Sequence, residues 1–302
     1  MTSAAPRLID PAILAQLAHL ELIARTAVEG ALMGLHRSPN FGFSQEFAEY
    51  RAYVPGDDLR HIDWNVYARS DKMYIKRFFG DTNCQLMLLL DTSISMDPED
   101  GFHLGSVSKL DYARFFAAAL VYLAGRQHDA VGLLAFNDEL GTYRPPQTRD
   151  RSIRAFYHEL ERVQASGGTD WQAALEYVQA RLRQKSLVVV LSDFYVSPQE
   201  LQKVLRGLAA RGHDLLLVHI LDPQEKELKL TDGATLRDAE TGAVMEVSPR
   251  EVETEYKERL STHLSDLNRL TRSMGAHYLQ VDTTEPLDRS IANYLKFRAR
   301  HP

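Results

Sequence analysis

The stretch Leu86-Met87-Leu88-Leu89-Leu90-Asp91-Thr92-Ser93-Ile94-Ser95 decides the fold of this chain. An uninterrupted apolar run that gives way at once to polar residues predicts a buried parallel strand ending at Asp91. In an open α/β sheet, the residues just beyond the carboxyl end of a strand line the ligand-binding crevice. Asp91, Ser93 and Ser95 therefore offer oxygen atoms where a ligand can reach them, and such hard donors suit Mg²⁺, Mn²⁺ or Ca²⁺.

A regular alternation of strands and helices surrounds and follows this strand. The predicted strands cover residues 86–91, 130–136, 139–144, 187–192, 214–221 and 277–281. The predicted helices cover residues 109–126, 151–163, 170–183, 198–211, 249–273 and 286–299. This order predicts an α/β fold, doubly wound, with a mostly parallel sheet, helices on both faces and an antiparallel edge strand at 139–144. Turn-forming residues within 226–247 predict a β-hairpin insertion there.

The chain before this alternation has a different character, which predicts a smaller N-terminal subdomain at residues 1–82 and an α/β domain at 83–302. Residues 1–35 carry leucines at helical spacing and predict a helix. Residues 36–82 are rich in Arg, Asp, Tyr and Phe and are interrupted by turn-forming residues. That composition favours strands and turns over helix, with a strand at 74–79.

Composition argues against several classes of function. The chain has 302 residues, of which 44% are hydrophobic and 25% charged, as in ordinary globular proteins. The net charge of -6 disfavours a nucleic-acid partner, and the single cysteine, Cys84, allows no intrachain disulfide. The longest apolar run, 115–123, is too short to cross a bilayer, and the N-terminus lacks a signal-peptide pattern. We therefore expect a cytoplasmic protein with no transmembrane segment.

Two further loops carry side chains that would complete an oxygen cage around Asp91. Asp193 follows the predicted strand 187–192 and so occupies a place equivalent to that of Asp91, while Thr169 lies in a glycine-rich turn before a helix. If the two strands are neighbours, oxygen side chains from three loops converge at one rim of the sheet. The predicted metal site consists of Asp91, Ser93, Ser95, Thr169 and Asp193. A plainer alternative is that the aspartates only cap helices or hydrogen-bond their own loops.

This set of residues resembles the metal-ion-dependent adhesion site of von Willebrand factor A domains. In that family the first Asp, both Ser and the Thr surround Mg²⁺ or Mn²⁺, and the second Asp acts through water. The resemblance implies the same roles for Asp91, Ser93, Ser95, Thr169 and Asp193, although Ile94 stands where adhesion-type members often have Gly. Because hydroxyl donors are neutral, Mg²⁺ keeps charge and open positions that an acidic side chain from a protein partner can fill.

Catalysis is the competing interpretation of the same residues. A metal-dependent hydrolase or nuclease would use these carboxylates, but two-metal hydrolysis needs more acidic ligands than the sequence places near Asp91. Ser93 lacks the Gly-x-Ser-x-Gly elbow of α/β hydrolases. Lys109 follows a stretch with glycines but not in a phosphate-loop pattern, which favours a simple helix start. We therefore predict a protein that is not an enzyme; a scaffold with a vestigial site is a third alternative.

A dense charged motif precedes the α/β domain. It comprises Glu46-Phe47, Arg51-Ala52-Tyr53, Pro55-Gly56-Asp57-Asp58-Leu59-Arg60-His61-Ile62-Asp63-Trp64, Ala68-Arg69 and Lys76. This motif resembles the signature of the bacterial domain of unknown function 58 family, in which a von Willebrand-like domain follows it. The resemblance extends to residues 294–300 and implies a MoxR-type AAA+ ATPase as partner, with an adaptor role in chaperone-like or assembly work.

The same charged block has more than one physical interpretation. In the structural one, its aspartates and arginines pair and hold the subdomain in shape, with Tyr53 and Trp64 packed beneath. The residues concerned are Asp57, Asp58 and Asp63 with Arg51, Arg60 and Arg69. The alternatives are a partner-binding surface or a second carboxylate site for a metal. The matching arginines favour ion pairs over a second metal site.

Overall fold

The computed structural model describes residues 11, 19–36, 47–54, 62–70, 72–78, 85–98, 107–127, 129–148, 150–226, 235–237, 244–246 and 249–300. The chain forms two compact units, Met1–Leu32 with Cys84–Pro302 and, separately, Met33–Asn83. This division differs from the predicted boundary at residue 82, because most of the N-terminal helix belongs to the unit of the main sheet. That helix buries Ile23, Ala24 and Ala27 almost completely.

The helices and strands follow the predicted alternation closely. The helices are α1 (Leu20–His36), α2 (Trp64–Ser70), α3 (Lys109–Arg126), α4 (Asp150–Arg162), α5 (Trp171–Arg181), α6 (Pro198–Ala210), α7 (Pro223–Lys226), α8 (Pro249–Ser273) and α9 (Leu287–Arg300). The strands are β1 (Phe47–Ala52), β2 (Tyr74–Phe78), β3 (Gln85–Asp91), β4 (Ala130–Phe136), β5 (Leu140–Gln147), β6 (Ser186–Ser192), β7 (Asp214–Leu221), β8 (Thr235–Arg237), β9 (Val244–Glu246) and β10 (His277–Asp282).

The main sheet has the strand order β10-β7-β6-β3-β4-β5. All neighbouring strands are parallel except β4 and β5, which are antiparallel and place β5 at the edge, as predicted. The predicted α/β class, with a mostly parallel sheet and one antiparallel edge strand, is confirmed. Strand β3 lies between β6 and β4, so the loop that follows Asp91 leaves from the middle of the sheet.

The two faces of β3 pack against different helices, which explains why residues 86–90 are all apolar. Met87 and Leu89 belong to a core cluster with side chains from α5, α6 and α8. The neighbouring residues Leu88 and Leu90 point to the opposite face, because side chains alternate along a strand, and both are fully buried. Helices on both faces bury both sets of side chains, and no polar residue interrupts the run between Gln85 and Asp91.

Short polar side chains define the helix starts that matter for the rim of the sheet. The Ser108 hydroxyl accepts a hydrogen bond from the Asp111 amide and begins α3. The Asp170 carboxylate accepts from the Ala173 amide and begins α5. These caps satisfy amide groups that have no partner within their own helix. Lys109, the first residue of α3, contacts Asp193, and the Asp170 amide donates to the Asn137 carbonyl, so both helices begin beside the carboxyl ends of strands.

The second unit contains β1 paired antiparallel with β2, together with α2. The sequence favoured strands and turns here and did not predict α2, whose start is capped by the Asp63 carboxylate accepting from the Val66 amide at 3.3 Å. The expectation that Trp64 packs beneath the charged block is wrong, because Trp64 is 58% exposed. The predicted pairs of Asp57, Asp58 and Arg60 lie outside the described residues.

The predicted β-hairpin insertion is present in the described part of the segment. Strands β8 and β9 pair antiparallel, with Thr235 opposite Glu246 and Arg237 opposite Val244. The hairpin follows α7, which begins directly after β7 and Asp222. The insertion therefore follows a strand end at the same rim of the sheet as the predicted metal ligands.

Candidate metal and partner-binding site

Strands β3 and β6 lie side by side, which is the condition that the predicted site required. They are parallel, and Leu90 is in register with Leu191. The residues that end the two strands, Asp91 and Ser192, therefore lie next to each other, with Asp193 one position further on. On the other side of β3, Asp91 is in register with Phe136 of β4.

Asp91 is a buried carboxylate held by hydrogen bonds alone. It is 1% exposed, and its Oδ1 accepts from the Ser93 amide at 2.9 Å while its Oδ2 accepts from the Ser192 hydroxyl at 2.6 Å. Among the described residues it has no cationic partner. Burial, and next the negative charge of Asp193, raise the pKa of Asp91 to about 6, against the opposing effect of these hydrogen bonds. At neutral pH the site thus carries a negative charge that no described residue compensates by an ion pair with Asp91.

The serine hydroxyls stand beside this carboxylate. Residues Ile94–Met96 form one turn of 3-10 helix, which brings Ser93 Oγ within 3.1 Å of Ser95 Oγ. Ser93 is completely buried, whereas Ser95 is half-buried towards the rim. Ile94 fits this turn, because its amide donates to the Gly167 carbonyl at 3.0 Å. With isoleucine in place of glycine, the turn still keeps the two serine hydroxyls in contact.

The loop that carries Thr169 packs directly against the loop that follows Asp91. The Ser166 amide donates to the Thr92 carbonyl at 2.8 Å, in addition to the contact between Ile94 and Gly167. The Asp170 amide then donates to the Asn137 carbonyl at 2.9 Å, which ties the end of the loop to the loop after β4. Thr169 lies between these anchors and is half-buried. Separate turns thus meet at one rim, as the sequence predicted.

Asp193 has a partner that the sequence did not predict. Its Oδ2 accepts from Lys109 Nζ at 2.7 Å, and the same ammonium also contacts the Glu225 carboxylate. Lys109 is 5% exposed and Asp193 is 1% exposed, so this is a buried ion pair. Burial acts to lower the pKa of Lys109, but the two carboxylates outweigh it and the pKa is raised. The lysine therefore stays charged.

A strained turn positions Asp193 and the residues after it. Phe194 has a φ of 50°, in the left-handed region that side chains with a Cβ rarely adopt, and it is completely buried. Its amide donates to Ser192 Oγ at 2.8 Å, and its ring stacks on Trp171. Tyr195 then emerges at the rim with 49% exposure, its ring 4.9 Å from Lys109 Nζ. The Ser192 hydroxyl thus fixes both Asp91 and this turn.

The donor set fits a hard divalent cation. It offers a buried carboxylate without a cation, serine hydroxyls next to it, and a threonine on a loop anchored beside them. In the described part of the chain, no group of three or more His, Cys, Asp or Glu side chains has an arrangement suited to a metal. A metal site here must therefore rely on hydroxyl oxygens, which suits Mg²⁺ and Mn²⁺ better than zinc or copper.

Sequence reasoning missed Ser192, Lys109 and Glu225 as parts of the site. Lys109 carried a usable signal, because a lysine at the first position of a helix lies against the positive end of the helix dipole and needs a local reason. Ser192 is the last residue of its strand and directly precedes Asp193, so its place at the rim was readable. Glu225 lies in the short helix α7 and carried no comparable signal.

None of the helices in the described part of the chain combines the length and apolar character that a membrane crossing requires.

Among solved structures, BatB from Bacteroides thetaiotaomicron is similar, with a TM-score of 0.45 and 18% identity over 72% of this chain and 99% of that one. The SpRpn10 VWA domain is similar with a TM-score of 0.43 and 12% identity, covering 69% of this chain and 93% of that one.

Comparison of sequences is more specific. The chain is 30% identical over 295 residues to Uncharacterized protein Rv1480 of Mycobacterium tuberculosis and to Uncharacterized protein Mb1516 of Mycobacterium bovis. In both cases the match covers 96% of this chain and 91% of the relative. The family model described as "Protein of unknown function DUF58" matches residues 49–265. The chain therefore belongs to the DUF58 family, as its charged N-terminal motif predicted.

Proposed function

We propose that this protein is a non-enzymatic adaptor that binds protein partners through a divalent cation, most favourably Mg²⁺. Asp91 holds the ion directly, Ser93 and Ser95 add hydroxyl oxygens, and Thr169 contributes from its loop. Asp193 acts through water. When bound, the cation supplies a coordination position for an acidic side chain of the partner. The observation that carries the proposal is the buried Asp91 carboxylate, which lacks a cation among the described residues and has two serine hydroxyls beside it.

The position of these residues supports binding to a macromolecule. They lie at the carboxyl rim of the sheet, where loops are not covered by the helices that enclose its faces. Ser95 and Thr169 are half-buried and so can be reached from outside, whereas Asp91 lies beneath them. An ion held at this depth would present its open position outward, towards a partner.

An adaptor role is supported better than hydrolysis. Two-metal hydrolysis needs several free carboxylates around the reacting atoms. Of the two aspartates in the predicted site, Asp193 is engaged by Lys109, so Asp91 and Asp193 do not form a pair of free carboxylates. We therefore propose binding without catalysis, in the cytoplasm.

A MoxR-type AAA+ ATPase is the partner that we propose. Membership of the DUF58 family supports this choice, because members of that family are commonly linked with such ATPases. The adaptor would bind the ATPase or its substrate through the cation, while the ATPase supplies the energy for chaperone-like or assembly work. Binding of the purified proteins in Mg²⁺, lost in EDTA and in Asp91→Ala, is the expected result; equal binding under all three conditions would contradict it.

A metal titration tests the site without any partner. Excess Mg²⁺ or Mn²⁺ should raise the melting temperature of the wild type, since a ligand at 100 times its Kd stabilises by about 2.7 kcal/mol. Asp91→Ala should show no rise. Asp214→Asn is the control, because Asp214 is an exposed aspartate at the opposite end of the sheet and should respond like the wild type. A wild type that neither ion stabilises, whether or not acetate is present, overturns the proposal.

A further inference from the structure

Lys109 occupies a position that is unfavourable for a lysine in two respects. It is the first residue of α3, directly after the cap Ser108, where the partial positive charge of the helix end opposes a cation. It is also 5% exposed, and burying an ammonium group costs several kcal/mol unless the group is well paired. Violations of local rules of this kind concentrate at functional sites. The predicted metal ligands nearby indicate which function the lysine serves.

The lysine contacts Asp193 and not Asp91. Its Nζ lies 2.7 Å from Asp193 Oδ2 and has no corresponding contact with Asp91, which accepts its hydrogen bonds from Ser93 and Ser192. A positive charge at this distance largely cancels the attraction of Asp193 for a second cation and also repels that cation. Glu225 contacts the same ammonium from α7 and helps to hold it in place.

We infer that Lys109 offsets the negative charge that Asp193 would otherwise contribute to the metal site, so that the site binds a cation weakly by itself and firmly only together with a carboxylate from outside. This inference rests on the proposed function and adds to it a mutual dependence of metal and partner. Cation affinity rises with the number of charged ligands, and Asp91 alone leaves a divalent ion with excess positive charge. An incoming carboxylate removes that excess, and by linkage the metal strengthens carboxylate binding by the same factor.

The consequence is a site that stays largely unfilled until an acidic partner arrives. A site with two free aspartates would take up its ion first and then select a partner. A site with Asp193 paired to Lys109 takes up the cation and the partner together. Formation of the complex therefore depends on the concentrations of both. Lys109 is thus a positioning residue: it changes the metal site through Asp193 and need not touch the metal or the partner.

Mn²⁺ binding with and without acetate tests the inference. Free Mn²⁺ is measured by electron paramagnetic resonance in sodium acetate or in sodium chloride at the same ionic strength, with a correction for binding of acetate to Mn²⁺ in solution. In the wild type, acetate should raise the affinity for Mn²⁺ at least about fivefold. The double variant Lys109→Met/Glu225→Gln frees Asp193, so it should bind Mn²⁺ alone at least about tenfold more tightly and respond less to acetate.

Two further variants separate the role of the charge from that of packing. Lys109→Arg keeps the positive charge and should retain weak Mn²⁺ binding and the acetate effect. Glu225→Gln keeps the shape of the side chain and leaves the ion pair between Lys109 and Asp193 in place. Mn²⁺ should therefore bind no more tightly than in the wild type. Tighter binding in Glu225→Gln overturns the inference even if the double variant does not fold.

The possible failures are distinguishable. If the wild type binds Mn²⁺ and the folded double variant binds it equally or more weakly, the inference about Lys109 is wrong and the metal site stands. If acetate does not change the Mn²⁺ affinity of the wild type, the inference about Lys109 is again wrong and the metal site stands. If no protein in the series binds Mn²⁺ in either salt, the proposed function itself is overturned.

Discussion

The Ser192 hydroxyl donates a hydrogen bond to Asp91 Oδ2 at 2.6 Å, across the neighbouring strands β6 and β3. The same oxygen accepts from the Phe194 amide at 2.8 Å, so it joins the buried carboxylate to the strained turn that carries Asp193. One hydroxyl therefore links the two acidic strand ends. Because both residues are almost completely buried, neither group can exchange this partner for bulk water.

Ser192→Ala should destabilise the protein by about 1.5–3 kcal/mol, because it removes a hydrogen bond to a buried charged group. It also leaves the Phe194 amide without its partner. The measurement is urea-induced unfolding in EDTA. Ser186→Ala is the matched control: Ser186 begins the same strand and its hydroxyl donates to the Gln184 carbonyl at 2.8 Å, so a smaller loss of about 1 kcal/mol is expected. Equal losses in both variants would show that the link to Asp91 adds nothing.

Gly167→Ala should destabilise the loop that carries Thr169. Gly167 has a φ of 65°, and a Cβ there would collide with the Asp138 carboxylate. Gly275→Ala is the control, because Gly275 has the same φ of 65° but open space around the added carbon. Both variants should lose about 1 kcal/mol to backbone strain. Gly167→Ala must also turn the exposed Asp138 side chain aside, so its loss should be at least as large.

The metal titration distinguishes the two glycine variants further. Gly167→Ala should weaken Mn²⁺ binding, since the shifted loop moves Thr169 relative to Asp91. Gly275→Ala should leave it unchanged. Unchanged Mn²⁺ affinity in a measurably destabilised Gly167→Ala would argue that Thr169 is not a ligand.

Thr169→Val should lower the affinity for Mn²⁺ at least about tenfold without a large loss of stability, because it removes a proposed ligand from a half-exposed position. Thr92→Val is the comparison. The Thr92 hydroxyl donates to the Phe136 carbonyl at 3.0 Å, so its loss should cost about 1 kcal/mol of stability and leave Mn²⁺ binding intact. Isothermal titration and thermal unfolding of both variants give the two readouts. Weaker Mn²⁺ binding in Thr92→Val together with unchanged binding in Thr169→Val would show that Thr169 is not a metal ligand.

His219 should make the protein less stable in acid. It is completely buried, its Nδ1 lies 2.6 Å from the Tyr278 hydroxyl, and burial lowers its pKa to about 3 from an ordinary 6.5. The unfolded chain therefore binds a proton between these values that the folded chain does not. This contribution to stability is complete above pH 6.5 and is lost as the pH falls towards 3.

The effect of His219 is isolated by comparison with His219→Gln, which can keep a hydrogen bond to Tyr278. The raised pKa of Asp91 acts in the opposite direction, since its contribution is lost as the pH rises through about 6, and it is common to both proteins. The free energy of unfolding in EDTA should fall more steeply from pH 6.5 to 4 in the wild type than in the variant. Parallel curves would show that His219 is not protonated on unfolding in this range.

Much of the fold could be predicted because its signals are local. The apolar run before Asp91, the leucines at helical spacing in residues 1–35 and the turn-forming residues within 226–247 each act within a few residues of the element that they define. One exception, α2, is a short helix begun by Asp63, in a segment where turn-forming residues gave a stronger signal. Local rules predict such a helix poorly, because so few residues contribute to it.

The sequence by itself determined the order of strands and helices and named the oxygen-bearing side chains at the strand ends, because periodicity and turn chemistry are properties of neighbouring residues. Only the tertiary structure decided which groups engage those side chains. Ser192 and Asp91 are 101 residues apart, and Lys109 and Asp193 are 84 apart. Their contacts depend on β6 pairing with β3 and on where α3 begins above the sheet, and spacing along a chain carries no measure of such distances in space.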